Sequence, residues 1–270
     1  MFDAAAFFQA LVVLLAMGAV TWVVSIFRRD VSIVDSLWSL MFLAAGVVYL
    51  AAAAGMTGRA LLMFALLALW SLRLAAYITW RNWGEGEDYR YRAIRQRNDP
   101  GFAFKSFYLV FGLQAVIAWI ISLPLLAGML GSTAFGWLDA VAVAVFLVGF
   151  FFEAVGDWQL AAFRRDPGNR GGVLDTGLWR YTRHPNYFGN ACIWWSFFLF
   201  ALSAGGWWSV VSPILMTILL LRVSGVALLE KDIANRRPAY RDYIRRTSAF
   251  VPWWPKAASP VAAPAEEVKL

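Results

Sequence analysis

The chain has 270 residues, of which 61% are hydrophobic and only 15% charged, with 15 tryptophans and a mean hydropathy of +0.60. That composition lies outside the range of soluble domains and predicts an integral membrane protein. A lone cysteine, Cys192, excludes an intrachain disulfide and a cysteine metal site; a lone histidine without spaced carboxylates leaves no transition-metal site. The formal net charge of +7 would suit nucleic acid, but its distribution assigns it elsewhere.

Apolar runs of about 20 residues match the thickness of a bilayer core. They predict an all-α, polytopic membrane helical bundle of about seven transmembrane helices, at 7–27, 33–54, 60–80, 107–129, 137–157, 187–204 and 207–229. The first run begins too close to Met1, without a basic flank, to read as a cleavable signal. Of the 24 lysines and arginines, 21 fall after spans one, three, five and seven or in the tail; the other side holds only Arg59, and Arg73 and Arg222 lie within spans. By the positive-inside rule the N-terminus is outside and the C-terminus cytoplasmic. Residues 1–256 form one membrane domain, and the Ala/Pro-rich 257–270 is expected to be a disordered tail.

In chain order, the first polar candidate is Asp35 at the start of span two, with Trp38 on the same helical face. Asp35 suits either a catalytic role or an ion pair with Arg28 or Arg29. Arg73 lies within span three, with Tyr77 one turn on; an arginine there must snorkel, pair or meet a ligand. The stretch EGEDYRY after that span reads as a salt-bridge network, or as a group (Glu87, Asp88, Tyr91) able to hydrogen-bond a substrate. In span four, Gln114 is placed to bond a neighbouring helix and Pro124 to kink its own. Glu153, Asp157 and Arg164 form a stripe at the end of span five: an acceptor for amide or ribose donors, with guanidinium for phosphate.

The loop GLWRYTRHPNYFGN, 177–190, brings Arg180, Tyr181, Arg183, the lone His184, Asn186 and Tyr187 to the start of span six, where Pro185 biases His184 away from helix. Beyond span seven, Glu230, Arg236, Arg237, Tyr240, Tyr243, Arg245 and Arg246 stand on the same side. Such an Arg/Tyr tail suits anionic headgroups, and equally a dinucleotide with a 2′-phosphate.

The segment 157–252 resembles the C-terminal domain of the steroid 5-alpha-reductase family, in a bacterial branch. The resemblance rests on the Asp157–Arg164 stripe, on Gly177, Leu178, Tyr181, Asn186 and Gly189 within the loop, and on the closing YRDYIRRTSAFVP. It implies a seven-helix membrane reductase that uses NADPH to reduce a carbon–carbon double bond conjugated to a carbonyl. Asp157, Arg164 and Asn186 would bind the cofactor with Arg73 and Tyr77 assisting, in a cofactor half of about 150–256. Tyr187 joins them by position. The loop residues Arg180, Tyr181, Arg183 and His184 would form one wall of that pocket, and the tail residues Glu230, Arg237, Tyr240 and Tyr243 another. Asp35, Glu87 or Tyr91 would polarise the carbonyl or deliver the proton, with Trp38, Trp70 and Gln114 on the substrate. The substrate would be a steroid-like or isoprenoid lipid entering from the bilayer of a bacterial inner membrane. No nucleic acid or obligate protein partner is expected. The chain departs from the family pattern: Asn190 stands where the steroid enzymes have Glu, Glu153 where they have Asn, EKDIANRRP where they have a His-rich approach to the tail, and Trp70 where they have the carbonyl-binding Tyr. Their catalytic Glu has only Asp35 as a loose counterpart.

Two other readings compete. The isoprenylcysteine carboxyl methyltransferases also carry an Arg-His-Pro loop, and by that resemblance His184, Glu230, Tyr240 and Tyr243 would hold S-adenosylmethionine. Asn186 after Pro185 and the Asp157/Arg164 stripe favour the reductase. A transporter would place charges at the midplane, whereas these cluster toward one side.

Overall fold

The computed structural model describes residues 2–223, 226, 230 and 239–256. Among them the chain is helical: α1 (Ala4–Arg28), α2 (Val34–Ala52), α3 (Gly58–Asn82), α4 (Tyr89–Asn98), α5 (Phe102–Met129), α6 (Trp137–Arg165), α7 (Pro185–Ser203), α8 (Trp207–Arg222) and α9 (Ala239–Arg246). No strand occurs among the described residues; Thr182 and Ser248 form one isolated parallel bridge. Five helices, α1, α2, α3, α5 and α6, are long and apolar enough to cross a membrane. The sequence predicted seven spans. Helix α7 falls outside this set with Asn186 and Asn190 in its first two turns, and α8 because its described part, Trp207–Arg222, is shorter. The predicted disordered tail lies outside the described residues.

The chain divides into two compact units, residues 1–150 with 191–218, and residues 151–190 with 219–270. In the first, helix starts follow local chemistry. Asp3 caps α1 by accepting from Ala6 N at 2.9 Å, and Thr57 caps α3 by accepting from Ala60 N at 3.1 Å. Helix α5 is not regular. It is π-helical over Phe107–Gly112 and breaks at Ser122, before Pro124 starts its last segment, where the sequence placed a kink. Ser122 Oγ lies 2.7 Å from Tyr49 Oη, which ties the break to α2. The aromatic core is edge-packed: Phe42 lies 4.4 Å from Trp194 and Trp70 lies 5.7 Å from it at 90°.

Arg59, which the sequence sets apart from the other lysines and arginines, is also part of this unit. It is buried against Asp139, with Nε and Nη2 donating to the two carboxylate oxygens at 2.7 and 2.9 Å. Its remaining donors reach Thr133 O and Oγ1, Ala134 O and Ser203 Oγ. Asp139 additionally accepts from Gly136 N and Ser203 Oγ. A pair this buried is sustained by the further hydrogen bonds that both partners make.

In the second unit, the end of α6, the loop before α7, the start of α7 and the segment after α9 pack together. Trp179 Nε1 donates to Gly156 O at 3.1 Å, and Gln159 Oε1 accepts from Leu178 N at 3.0 Å. Gly177 sits at φ 58°, and a Cβ there would meet the Gln159 amide at 2.3 Å, so only glycine fits. The closing segment is strapped to the loop: Arg183 N donates to Ser248 O, Thr182 Oγ1 to Phe250 O and Trp253 N to Tyr181 O, at 2.8 to 2.9 Å.

Removing one partner of the Arg59–Asp139 pair strands a buried charge. Asp139→Ala is expected to cost about 3–5 kcal/mol, read as a lowered melting temperature in detergent. The double variant Arg59→Met, Asp139→Leu should regain most of it. A single variant as stable as the wild type would show the pair to be idle.

Candidate functional site

Each unit carries one polar cluster among the predicted site residues. In the first unit the cluster forms where the start of α2 meets α4. Asp88 caps α4, accepting from Arg90 N at 2.9 Å. This first turn carries two functional side chains. Tyr91 Oη donates to Asp35 Oδ1 at 2.5 Å, and Arg90 Nη2 donates to Asp35 Oδ2 at 2.7 Å. Gln114 Nε2, from α5, donates to Tyr91 Oη at 3.2 Å. Tyr91 is only 7% exposed, packed with Val31, Val34, Phe102, Val110 and Phe111. Burial, then the Asp35 charge, pushes its hydroxyl well above the usual phenol range, so it stays protonated. Asp35 thus pairs with Arg90, not with Arg28 or Arg29.

Glu87 stands apart from this group. It accepts from Arg95 Nε and Nη2 at 2.9 and 2.7 Å and from Val31 N at 3.1 Å. Burial would raise its pKa, but these bonds outweigh it and hold the carboxyl below its ordinary value. Its role in this geometry is to fasten the turn before α2 to α4. Trp38 packs edge-on against Phe42 at 5.1 Å, and Trp70 is fully buried beside Phe42 and Trp194. Both belong to the aromatic core, while Gln114 reaches the acid cluster. On α3, Arg73 lies 5.8 Å over the Phe150 ring, and Tyr77 is covered by Arg81 at 5.7 Å.

In the second unit, two amide–carboxylate rungs join α6 to α7. Asn186 Nδ2 donates to Asp157 Oδ1 at 3.1 Å; one turn further along α7 and one turn back along α6, Asn190 Nδ2 donates to Glu153 Oε1 at 2.9 Å. Asn186 Oδ1 also accepts from Tyr187 N at 3.0 Å, which orients the amide at the first turn of α7. Gly156 lies between the rungs on α6, where a Cβ would come within 3.1 Å of the Pro185 ring and 3.2 Å of Asn186 N. Asn190, 7% exposed, has no partner for Oδ1 among the described residues. Sequence reasoning treated Glu153 and Asn190 as departures from a pattern and missed that they bond each other.

A buried ion knot closes the loop beneath. Arg183 Nε and Nη2 hold both oxygens of Glu230 at 2.7 and 2.9 Å, while Nη1 donates to Ile244 O and Thr247 O. His184 Nε2 lies 2.9 Å from Glu230 Oε1, with Tyr187 stacked on its ring at 5.5 Å and 2°. Burial would raise Glu230, yet His184 and Arg183 overcome it and bring the carboxyl down to about 2. Tyr243 Oη donates to Trp179 O, with Tyr240 edge-on at 5.3 Å. These polar atoms are engaged within the protein. Tyr181 packs edge-on against Trp254, Arg164 is exposed at the end of α6, and Arg180 lines a separate cavity. Arg237 lies outside the described residues.

Because the folded-state pKa of Glu230 is depressed, its stabilisation is full above the ordinary 4.5 and is lost as pH falls toward about 2. In detergent, the wild-type melting temperature should fall more steeply over that window than that of Glu230→Gln. Equal slopes would remove Glu230 as the acid-sensitive group.

No solved structure matches this chain. An uncharacterized protein of the fission yeast Schizosaccharomyces pombe is 29% identical, over 87% of this chain and 76% of that protein. The family model described as "Protein of unknown function (DUF1295)" matches residues 21–247, which takes in both clusters, and the chain belongs to that family.

Proposed function

We propose that this protein is an NADPH-dependent membrane reductase acting on an activated carbon–carbon double bond of a lipid-like enone. The observation that carries the reading is the Glu153–Asn190 rung. The steroid 5-alpha-reductases place Asn and Glu at these two positions, and this chain places Glu and Asn. Two apparent departures become one exchange that keeps an amide bonded to a carboxylate. That supports the resemblance where composition could not.

The residues of the second unit suit the cofactor. Asp157 and Asn186 offer an acceptor and a donor for ribose or carboxamide groups, and Asn190 Oδ1 is a buried acceptor with no protein donor among the described residues. Exposed Arg164 suits phosphate. Bound NADPH supplies the hydride. In the first unit, Tyr91 holds a proton at Oη, and Asp35 and Gln114 fix its orientation. Asp35 accepts from both Arg90 and Tyr91, so Tyr91 rather than Asp35 carries the hydroxyl proton for a carbonyl oxygen. Trp70, buried in the aromatic core, lines that unit without an acidic proton of its own. We place the second unit's cofactor residues on the cytoplasmic face of a bacterial inner membrane, in line with the arginine asymmetry.

The S-adenosylmethionine reading assigns ligand roles to His184, Glu230, Tyr240 and Tyr243. The bonds of His184 and Glu230 to each other and to Arg183, and of Tyr243 to Trp179, leave these three little to offer the ligand.

Purified protein in detergent should enhance NADPH fluorescence on binding, and Asn186→Ala and Asp157→Ala should each weaken that binding about tenfold, as expected for one lost hydrogen bond to a charged group. Stabilisation by S-adenosylmethionine, with none by NADPH, would replace the reductase with the methyltransferase.

A further inference from the structure

The loop and the closing strap of the second unit enclose a cavity of about 510 Å³ that neither polar cluster uses. Its lining is Asp175, Thr176, Gly177 and Arg180 from the loop, and Arg246, Thr247, Pro255 and Lys256 from the end of α9 and the strap. Three cations face one carboxylate, so the cavity is net positive. Asp175 pairs with Arg246 through Nη2 only. The Arg246 Nε is buried and has no hydrogen-bond partner among the described residues, a donor lacking an acceptor. The walls are held firmly: Lys256 N donates to Arg246 O at 2.8 Å, and Trp253 N to Tyr181 O at 2.9 Å.

We infer that this cavity is a phosphoryl-binding site. A phosphate oxygen meets the chemistry on offer, since a guanidinium edge and an ammonium both donate to it and hydroxyls complete its shell. Arg246, tethered by Asp175, is pre-organised for the task, and Arg180 and Lys256 are free to close on the anion from the exposed rim. The phosphate can belong to a phospholipid headgroup or to a soluble phosphate. Trp253 and Trp254, 70% and 75% exposed directly before Pro255 and Lys256, favour the lipid, because exposed indoles beside cations are the residues of a membrane interface. This inference does not rest on the reductase reading.

The full chain in a neutral detergent provides the test, with melting temperature as the readout. Three additions are compared: dioctanoyl phosphatidylglycerol, dioctanoyl phosphatidylcholine and inorganic phosphate. A rise with phosphatidylglycerol, at least halved in Lys256→Gln and in Arg180→Gln, supports the site and names a lipid. Both positions are exposed, so both variants should fold, and NADPH affinity in Lys256→Gln reports separately on the cofactor. A rise with inorganic phosphate alone, likewise halved, supports the site and names a soluble phosphate. Absence of both rises, a rise kept in both variants, or an equal rise with the two lipids overturns it.

Discussion

Two amide–carboxylate rungs, Asn186 to Asp157 and Asn190 to Glu153, hold the second unit together at the point where α6 meets α7. Buried carboxylates are costly unless they are paired or hydrogen-bonded. Here each finds an asparagine one turn apart on the opposing helix, and Gly156 lets the backbones approach closely enough for both bonds to form. The loop that precedes α7 inherits its position from this contact. Within the loop Arg183 pairs with Glu230 and His184 Nε2 hydrogen-bonds it, which leaves Asn190 Oδ1, rather than the histidine, as a buried polar atom without a partner among the described residues.

The first unit solves the same problem with different parts. Its buried Arg59–Asp139 pair is hydrogen-bonded on both sides by surrounding groups and is a structural fastening. The Asp35, Arg90, Tyr91 and Gln114 group differs in kind. It keeps a protonated phenol in an apolar setting, hydrogen-bonded to a carboxylate. Glu87, close in sequence to Tyr91, serves instead to secure the turn that presents Asp35.

Much of the architecture was legible in the sequence, because periodic apolar runs report helices directly. The five helices able to cross a membrane coincide with predicted spans to within a few residues at most ends. Helix α6 is the exception, running to Arg165 where the apolar pattern stops near Asp157; its last two turns carry Arg164, the end of the predicted polar stripe. The break in α5 was signalled by Pro124. What the sequence could not convey were pairings between distant residues. Arg59 and Asp139 are 80 positions apart, and Arg90 and Asp35 are 55 apart. Near neighbours such as Arg28 looked the more natural partners, and only the packing of α4 overrules them. The resemblance pointed to Asp157 and Asn186, but judged the Glu153 and Asn190 positions singly, when their meaning lies in the bond between them.

The exchange of those two residues is therefore the sharpest test of the account. Glu153→Asn and Asn190→Glu each remove the amide–carboxylate pair, the first leaving two facing amides with one methylene less reach and the second two facing carboxylates. The double variant restores an amide and a carboxylate in the opposite order. The measurement is NADPH affinity of the three proteins by nicotinamide fluorescence. The account predicts that each single variant loses most binding and that the double variant recovers to near the wild-type value. A double variant no better than the worse single, or a wild type that does not bind NADPH, would contradict it.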